Sequence, residues 1–211
     1  MGINYKDLEI VDQYAKENNK ELLIVTKKRS QKDILELISL GFRYFGENKV
    51  QEANSKFPEI ISNHKIKLSL IGPLHSNKVK LSLNIFDEIQ SIDRKKIVDE
   101  IIKFRTPKTK TKNFFIQVNI GDENQKSGVN EKDIYDFYKY CLDKELFIKG
   151  IMCIPPNNED PSFYFQKMNL IKDQLNKNIK LSMGMSSDYK IAIKFNTDLI
   201  RIGSLLFNDK I

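Results

Sequence analysis

Glu21-Leu22-Leu23-Ile24-Val25-Thr26-Lys27 is the stretch on which the reading of the fold turns. Leu22 to Val25 show no polar alternation, so the run predicts a strand buried on both faces, as in a parallel sheet covered by helices. Lys27 then stands at the C-terminal mouth of that strand, where parallel α/β sheets build their sites. Against apolar walls a lysine loses solvation, its pKa falls, and the free amine becomes a nucleophile for aldehydes. Taken alone, Lys27-Lys28-Arg29 also reads as the solvated start of a loop, and the rest of the chain has to decide.

Before this strand, Leu8, Val11 and Ala15 share one face of a helix over Tyr5–Glu17, which makes residues 1–20 an N-terminal helical segment. After it, Ser30 with Asp33 starts a helix that Gly41 stops. The same alternation continues with a strand over Phe42–Phe45, a helix opened by Gly46-Glu47-Asn48 and closed by Pro58, and a strand over Lys67–Ile71. A helix over Ser76–Leu83, a strand over Asp87–Gln90 and a helix over Asp93–Phe104 capped by Asp93 follow. Phe114–Ile120 and Ile148–Ile154 are further strands, separated by a helix over Asn130–Leu142. A helix over Ser162–Leu175, a weak strand at Ile179–Leu181, a short helix over Ser187–Lys194 and a strand at Leu199–Ile202 complete the chain. Eight strand-then-helix units imply parallel strands with right-handed crossovers, the count that closes a TIM-type (β/α)8 barrel in a single α/β domain spanning 1–211. A doubly wound open sheet is the alternative.

Composition narrows the function. The formal charge of +7 comes from lysines scattered among acidic residues, with no aromatic and basic platform of the kind that binds nucleic acid. The densest basic run, Lys103–Lys112, contains Pro107 and three threonines and reads as a solvated linker. No run of about 18 apolar residues and no leader pattern points to a membrane or to export, so a cytoplasmic protein is expected. Two cysteines, Cys141 and Cys153, and two histidines, His64 and His75, suit a reducing compartment and leave little for a metal site.

The strand mouths collect the informative residues: Lys27 after the first, Glu47 and Asn48 after the second, and His75 and Asn77 after the third. Asp122 and Lys126-Ser127-Gly128 follow the fifth, Ser182 to Asp188 the seventh, and Gly203-Ser204 the eighth. Small and hydroxyl residues in the last two loops fit a phosphate cradle, since backbone N–H groups approach an anion closely there and hydroxyls add donors. Ser186-Ser187-Asp188 alone is also an ordinary helix cap. An amine on one side of a barrel mouth and a phosphate cradle on the other together ask for a ligand bearing an aldehyde and a phosphate.

The chain resembles the YggS/PROSC-like family of pyridoxal phosphate homeostasis proteins, whose barrel is similar to the N-terminal domain of alanine racemase. The resemblance is carried in order by Val25-Thr26-Lys27, Phe45-Gly46-Glu47-Asn48-Lys49-Val50-Gln51-Glu52, Ile71-Gly72-Pro73-Leu74-His75-Ser76-Asn77-Lys78, Ser91-Ile92-Asp93-Arg94 and Gln117-Val118-Asn119-Ile120. It continues through Lys126-Ser127-Gly128-Val129, Gly150 to Pro156, Ser182-Met183-Gly184-Met185-Ser186 and Arg201-Ile202-Gly203-Ser204. It departs at Thr26, where serine is usual, at Ser204, where threonine is usual, at His75 in place of a common glutamine, and at Asn208 in place of a glycine.

The resemblance implies pyridoxal 5′-phosphate as cofactor, held as a Schiff base on Lys27 with Asn48 beside it. Ser186, Gly203 and Ser204 would hold the phosphate, with Ser187 a further candidate, and Arg201 would face the pyridine nitrogen. A guanidinium there disfavours the ring proton and weakens carbanion stabilisation, unlike a carboxylate. Alanine racemase tolerates such an arginine but adds a tyrosine base from a second domain, which is not expected in a sequence of this length. Tyr44, Tyr164 and Tyr189 read as packing or surface residues. The expectation is therefore a monomeric binding protein of intracellular pyridoxal phosphate homeostasis and not an enzyme, with apo pyridoxal phosphate-dependent enzymes as candidate recipients and no nucleic acid or membrane partner. An amino-acid racemase is the alternative, and a cofactor-free class I aldolase is third.

Overall fold

A computed structural model describes residues 2–123 and 125–208. Helix α1, Tyr5–Glu17, buries Leu8, Val11 and Ala15 and leads into strand β1, Glu21–Val25. Helix α2, Gln31–Ser39, begins with the expected capping box: the Ser30 hydroxyl accepts from the Asp33 N–H while the Asp33 carboxylate accepts from the Ser30 N–H. Strand β2, Tyr44–Glu47, lies two residues beyond its predicted position, so Glu47 is a buried strand residue and not part of the mouth loop. Helix α3, Val50–Lys56, does not end the helical segment at Pro58; that proline starts helix α4, Pro58–Asn63, because a first-turn residue needs no N–H partner. Strand β3, Lys67–Leu70, helix α5, Val79–Ile85, and strand β4, Glu88–Ile92, follow. Helix α6, Lys95–Phe104, is capped at Arg94 and not at Asp93, whose carboxylate pairs with the Arg94 guanidinium instead.

The 103–112 stretch is not a solvated linker. Thr109 and Thr111 are buried, the Thr111 hydroxyl donates to the Phe86 carbonyl at 2.7 Å, and Lys110 donates to the Ile85 carbonyl at 2.9 Å. Thr111 satisfies a main-chain acceptor at the α5–β4 turn, while Thr109 closes its own loop by donating to the Thr106 carbonyl at 2.7 Å, roles that composition does not disclose. Strand β5, Asn113–Asn119, is joined by a two-residue strand absent from the sequence reading, β6, Val129–Asn130. Helix α7, Ile134–Asp143, strand β7, Ile148–Cys153, helix α8, Pro161–Leu175, strand β8, Lys180–Ser182, helix α9, Tyr189–Lys194, and strand β9, Leu199–Ile202, complete the order.

All neighbouring strands pair in parallel, and two pairings distinguish a barrel from an open sheet: β9 lies on β1, with Leu23 opposite Arg201, and β4 lies on β5, with Ile89 opposite Phe114. The sheet closes with eight strands, and β6 rides outside on β5. Alternate residues point out to the helices or into the barrel. Ile24, Phe45, Leu68, Leu70, Ile200 and Ile202 belong to the large outer core, whereas Leu23, Val25 and Leu199 form a small inner cluster with Tyr44 and Ile71. Most of the remaining inner wall is polar, and it positions the site. Among the described residues no helix is long and apolar enough to cross a membrane.

Candidate functional site

At the C-terminal mouth of the barrel, a cleft of about 270 Å³ is lined by Lys27, Asn48, Ser186, Ser187, Arg201, Gly203 and Ser204. The residues that the resemblance assigns to the cofactor therefore meet in one place, whereas Glu47, His75, Asn77, Asp122 and Lys126 do not line this cleft. Val25, Ile71, Ile154 and Met185 supply the apolar part of the wall. A larger cleft of about 470 Å³, bordered by Asp122, Glu131, Lys132 and Phe163, contains none of them.

Each position follows from the strand before it. Lys27 comes two residues after β1 and is exposed, so the desolvation expected of it is not found in this structure. Asn48 follows β2 directly and is half-buried; its backbone is crowded by Gly72, where a Cβ would meet the Asn48 carbonyl oxygen at 2.1 Å, and only glycine permits that approach. Gly184 takes φ +97°, which turns the chain after β8 back into the mouth. Beyond it, Ser186 does not cap a helix. Its Oγ accepts from the N–H groups of Gly203 and Leu205 at 3.4 and 3.3 Å, and Asp188, the N-cap of α9, turns its carboxylate to the Met185 N–H at 2.6 Å. Two main-chain donors and the hydroxyls of Ser186, Ser187 and Ser204 thus gather at one end of the cleft, an arrangement suited to an anion.

Arg201 forms the floor. It points into the barrel from β9, is 3% exposed, and donates to Ser182 Oγ and to the Cys153 carbonyl, each at 2.8 Å. Burial presses its pKa downward, opposed by the fields of Cys153 and Asp188, but a guanidinium stays charged through such a shift. Behind it runs a polar chain that sequence reading did not find: Ser182 Oγ donates to Gln90 Oε1 at 2.7 Å, and Gln90 Nε2 donates to Glu88 Oε1 at 2.7 Å. Period-two alternation in β4 and β8 places these residues inward, but only the closed ring brings them together.

The cleft lining contains two cations and, among the described residues, no Asp, Glu, His or Tyr. The three tyrosines lie elsewhere. Tyr44 donates to Glu88 inside the barrel, Tyr164 donates to Glu159, and Tyr189 packs edge-on against Tyr14 at 5.9 Å. Cys141 and Cys153 are buried, which pushes both thiols up to about 12.

A family model described as alanine racemase, N-terminal domain, matches residues 5–210. A pyridoxal phosphate homeostasis protein of Aquifex aeolicus is 34% identical over 203 residues, covering 92% of this chain and 89% of the relative. The chain belongs to the pyridoxal phosphate homeostasis protein family. A Vibrio alginolyticus member of that family is 36% identical, covering 89% of this chain and 85% of its own. PipY of Synechococcus elongatus, solved without PLP, matches with a TM-score of 0.84 at 26% identity over 96% of this chain and 99% of that one. The PipY structure with PLP bound matches with a TM-score of 0.81 at 25% identity, over the same shares of each chain. Alanine racemase of Acinetobacter baumannii shares the fold, with a TM-score of 0.74 at 16% identity over 95% of this chain and 59% of that enzyme.

Proposed function

We propose that this chain binds pyridoxal 5′-phosphate in the cleft at the C-terminal mouth and holds and delivers it as an intracellular homeostasis protein. The observation that carries the reading is the convergence of Lys27, Asn48, Ser186, Arg201, Gly203 and Ser204 on one cleft that, among the described residues, no carboxylate lines. The donor set fits the group: main-chain N–H groups and hydroxyls at one end for a phosphate, an accessible amine for an aldehyde, and a guanidinium on the floor. When bound, pyridoxal phosphate supplies an aldehyde that condenses reversibly with amines and a ring that withdraws electrons from the product.

The chain's own residues then have separate tasks. Ser186, Gly203 and Ser204 hold the phosphate, Lys27 offers its amine as the covalent anchor, and Asn48 borders the ring. Arg201, fixed by Ser182 and the Cys153 carbonyl, keeps a positive charge at the pyridine nitrogen and so leaves that nitrogen without a proton. No other acid or base lines the cleft among the described residues, which supports a carrier and not a racemase. The apo forms of pyridoxal phosphate-dependent enzymes are the recipients this reading calls for, and a monomer suffices for it.

Borohydride reduction of protein loaded with the cofactor tests the anchor. The visible band is expected to disappear, leaving a pyridoxyl group on the Lys27 peptide; labelling at Lys28 or at no lysine would contradict the assignment. Incubation with L-amino acids in heavy water separates carrier from enzyme. Deuterium should enter Cα at about the rate given by free cofactor, whereas a positioned base would add roughly 10²–10⁴-fold.

A further inference from the structure

Beneath α3, on the outer face of the barrel, four polar side chains converge on the turn that carries Lys27. Lys56 Nζ donates to the Thr26 carbonyl at 2.8 Å and lies 2.6 Å from Glu47 Oε1 and 2.9 Å from Glu52 Oε1. The Thr26 hydroxyl donates to the same Glu47 oxygen at 2.7 Å, and Glu52 Oε1 accepts the Lys28 N–H. The two peptide groups that bracket Lys27, one through its carbonyl and the other through its N–H, are therefore both tied to α3. The clamp acts against strain, because Lys28 holds φ +60°, a left-handed conformation that a residue with a Cβ rarely adopts. It also leaves Glu47, fully buried, with Oε2 unpartnered, a costly arrangement for a network that served packing alone. None of these four side chains lines the cleft.

We propose that Lys56, acting with Glu47 and Glu52, is a positioning residue: it holds the Thr26–Lys28 turn so that the Lys27 amine meets the aldehyde end of the ligand while the phosphate end is held independently by Ser186 and Ser204. The proposal rests on the pyridoxal phosphate reading and predicts that loosening the turn harms only the aldehyde half of binding. Lys56→Met removes every contact of the central cation, and Glu52→Ala releases the Lys28 N–H from a partly exposed position that folding tolerates better. Binding of pyridoxal 5′-phosphate and of pyridoxine 5′-phosphate, which has an alcohol where the aldehyde stands, is measured for wild type and both variants. The expected result is a loss of roughly 10–100-fold for the aldehyde in each variant, the scale of a displaced reacting group, with the alcohol changed by no more than about threefold. Equal changes for the two ligands in the folded variants would overturn the proposal. If wild type itself does not prefer the aldehyde and Lys27 takes no label, the cofactor reading fails, and amide hydrogen exchange at Lys28 still decides the clamp. Faster exchange in Glu52→Ala sustains it; unchanged exchange overturns it.

Discussion

At the N-terminal end of the barrel, Lys67 lies 3.3 Å from Glu88 and 3.7 Å from Glu21, and Lys180 also pairs with Glu21. At the C-terminal end, Lys27 and Arg201 line a cleft to which, among the described residues, no carboxylate contributes. The lower end places its cations against acids and fills the ring with Tyr44, Ser69 and Gln90 bonded around a Glu88 that is 1% exposed. The upper end sets Arg201 against neutral acceptors, the Ser182 hydroxyl and the Cys153 carbonyl, so its charge stays available to an anionic ligand. Lysine content therefore says little about either end; the acids opposite decide whether a cation closes a structure or receives a ligand.

The contrast breaks most sharply at Lys27. Lys27→Ala is expected to abolish the visible band and the borohydride label completely while retaining weak binding through the phosphate end, as absorbance and mass spectrometry would show. If a band survives, the exposed amine at the upper mouth is not the anchor. At the lower end, Glu88→Ala leaves Tyr44, Ser69, Gln90 and Lys67 without their shared acceptor, and the expected cost is about 3–5 kcal/mol of stability in urea unfolding. A loss under about 1 kcal/mol would mean that pairing does not hold that end together.

Smaller effects sharpen the picture of the cleft. Ser186→Ala and Ser204→Ala each remove one hydroxyl donor to a dianion, worth about 1.5–3 kcal/mol, or roughly 10–150-fold in affinity for the phosphorylated ligand. Pyridoxal without phosphate should discriminate less, and equal losses for both would place the serines away from the anion. The smallest effect concerns Glu47, whose pKa burial raises in spite of the hydrogen bonds from Lys56 and Thr26. Its contribution to stability is fully present below the ordinary glutamate range and is lost as pH rises through the raised value. Across that window the slope contributed is at most about 1.4 kcal/mol per pH unit. Wild type should lose stability there relative to Glu47→Gln, and parallel curves would show that Glu47 does not titrate in the window.

Much of this was legible because burial on two faces writes itself into a sequence as an uninterrupted apolar run. Glu21–Val25 reads as a strand for that reason, and Ser30 with Asp33 announces its helix through a purely local pair of hydrogen bonds. The mouth residues were accessible by the same route, since the end of a strand locates the next side chain to within a residue or two. Errors arose where a long-range partner overrode the local signal. Strand β6 exists only as an addition to β5, and Thr111 turns inward to satisfy carbonyls of another segment.

From residues alone come the eight strands that form the barrel, their parallel sense and most of the side chains at the C-terminal mouth, because periodicity and strand ends are properties of neighbours along the chain. Ring closure, the floor beneath Arg201 and the clamp around Lys27 were decided only in three dimensions. Leu23 meets Arg201 across β1 and β9, Ser182 meets Gln90 across the barrel, and Lys56 meets the Thr26 carbonyl from a separate helix. A hydrogen bond or a buried charge draws its energy from the partner it finds at about 3 Å, and no spacing along the chain encodes which distant residue that partner will be.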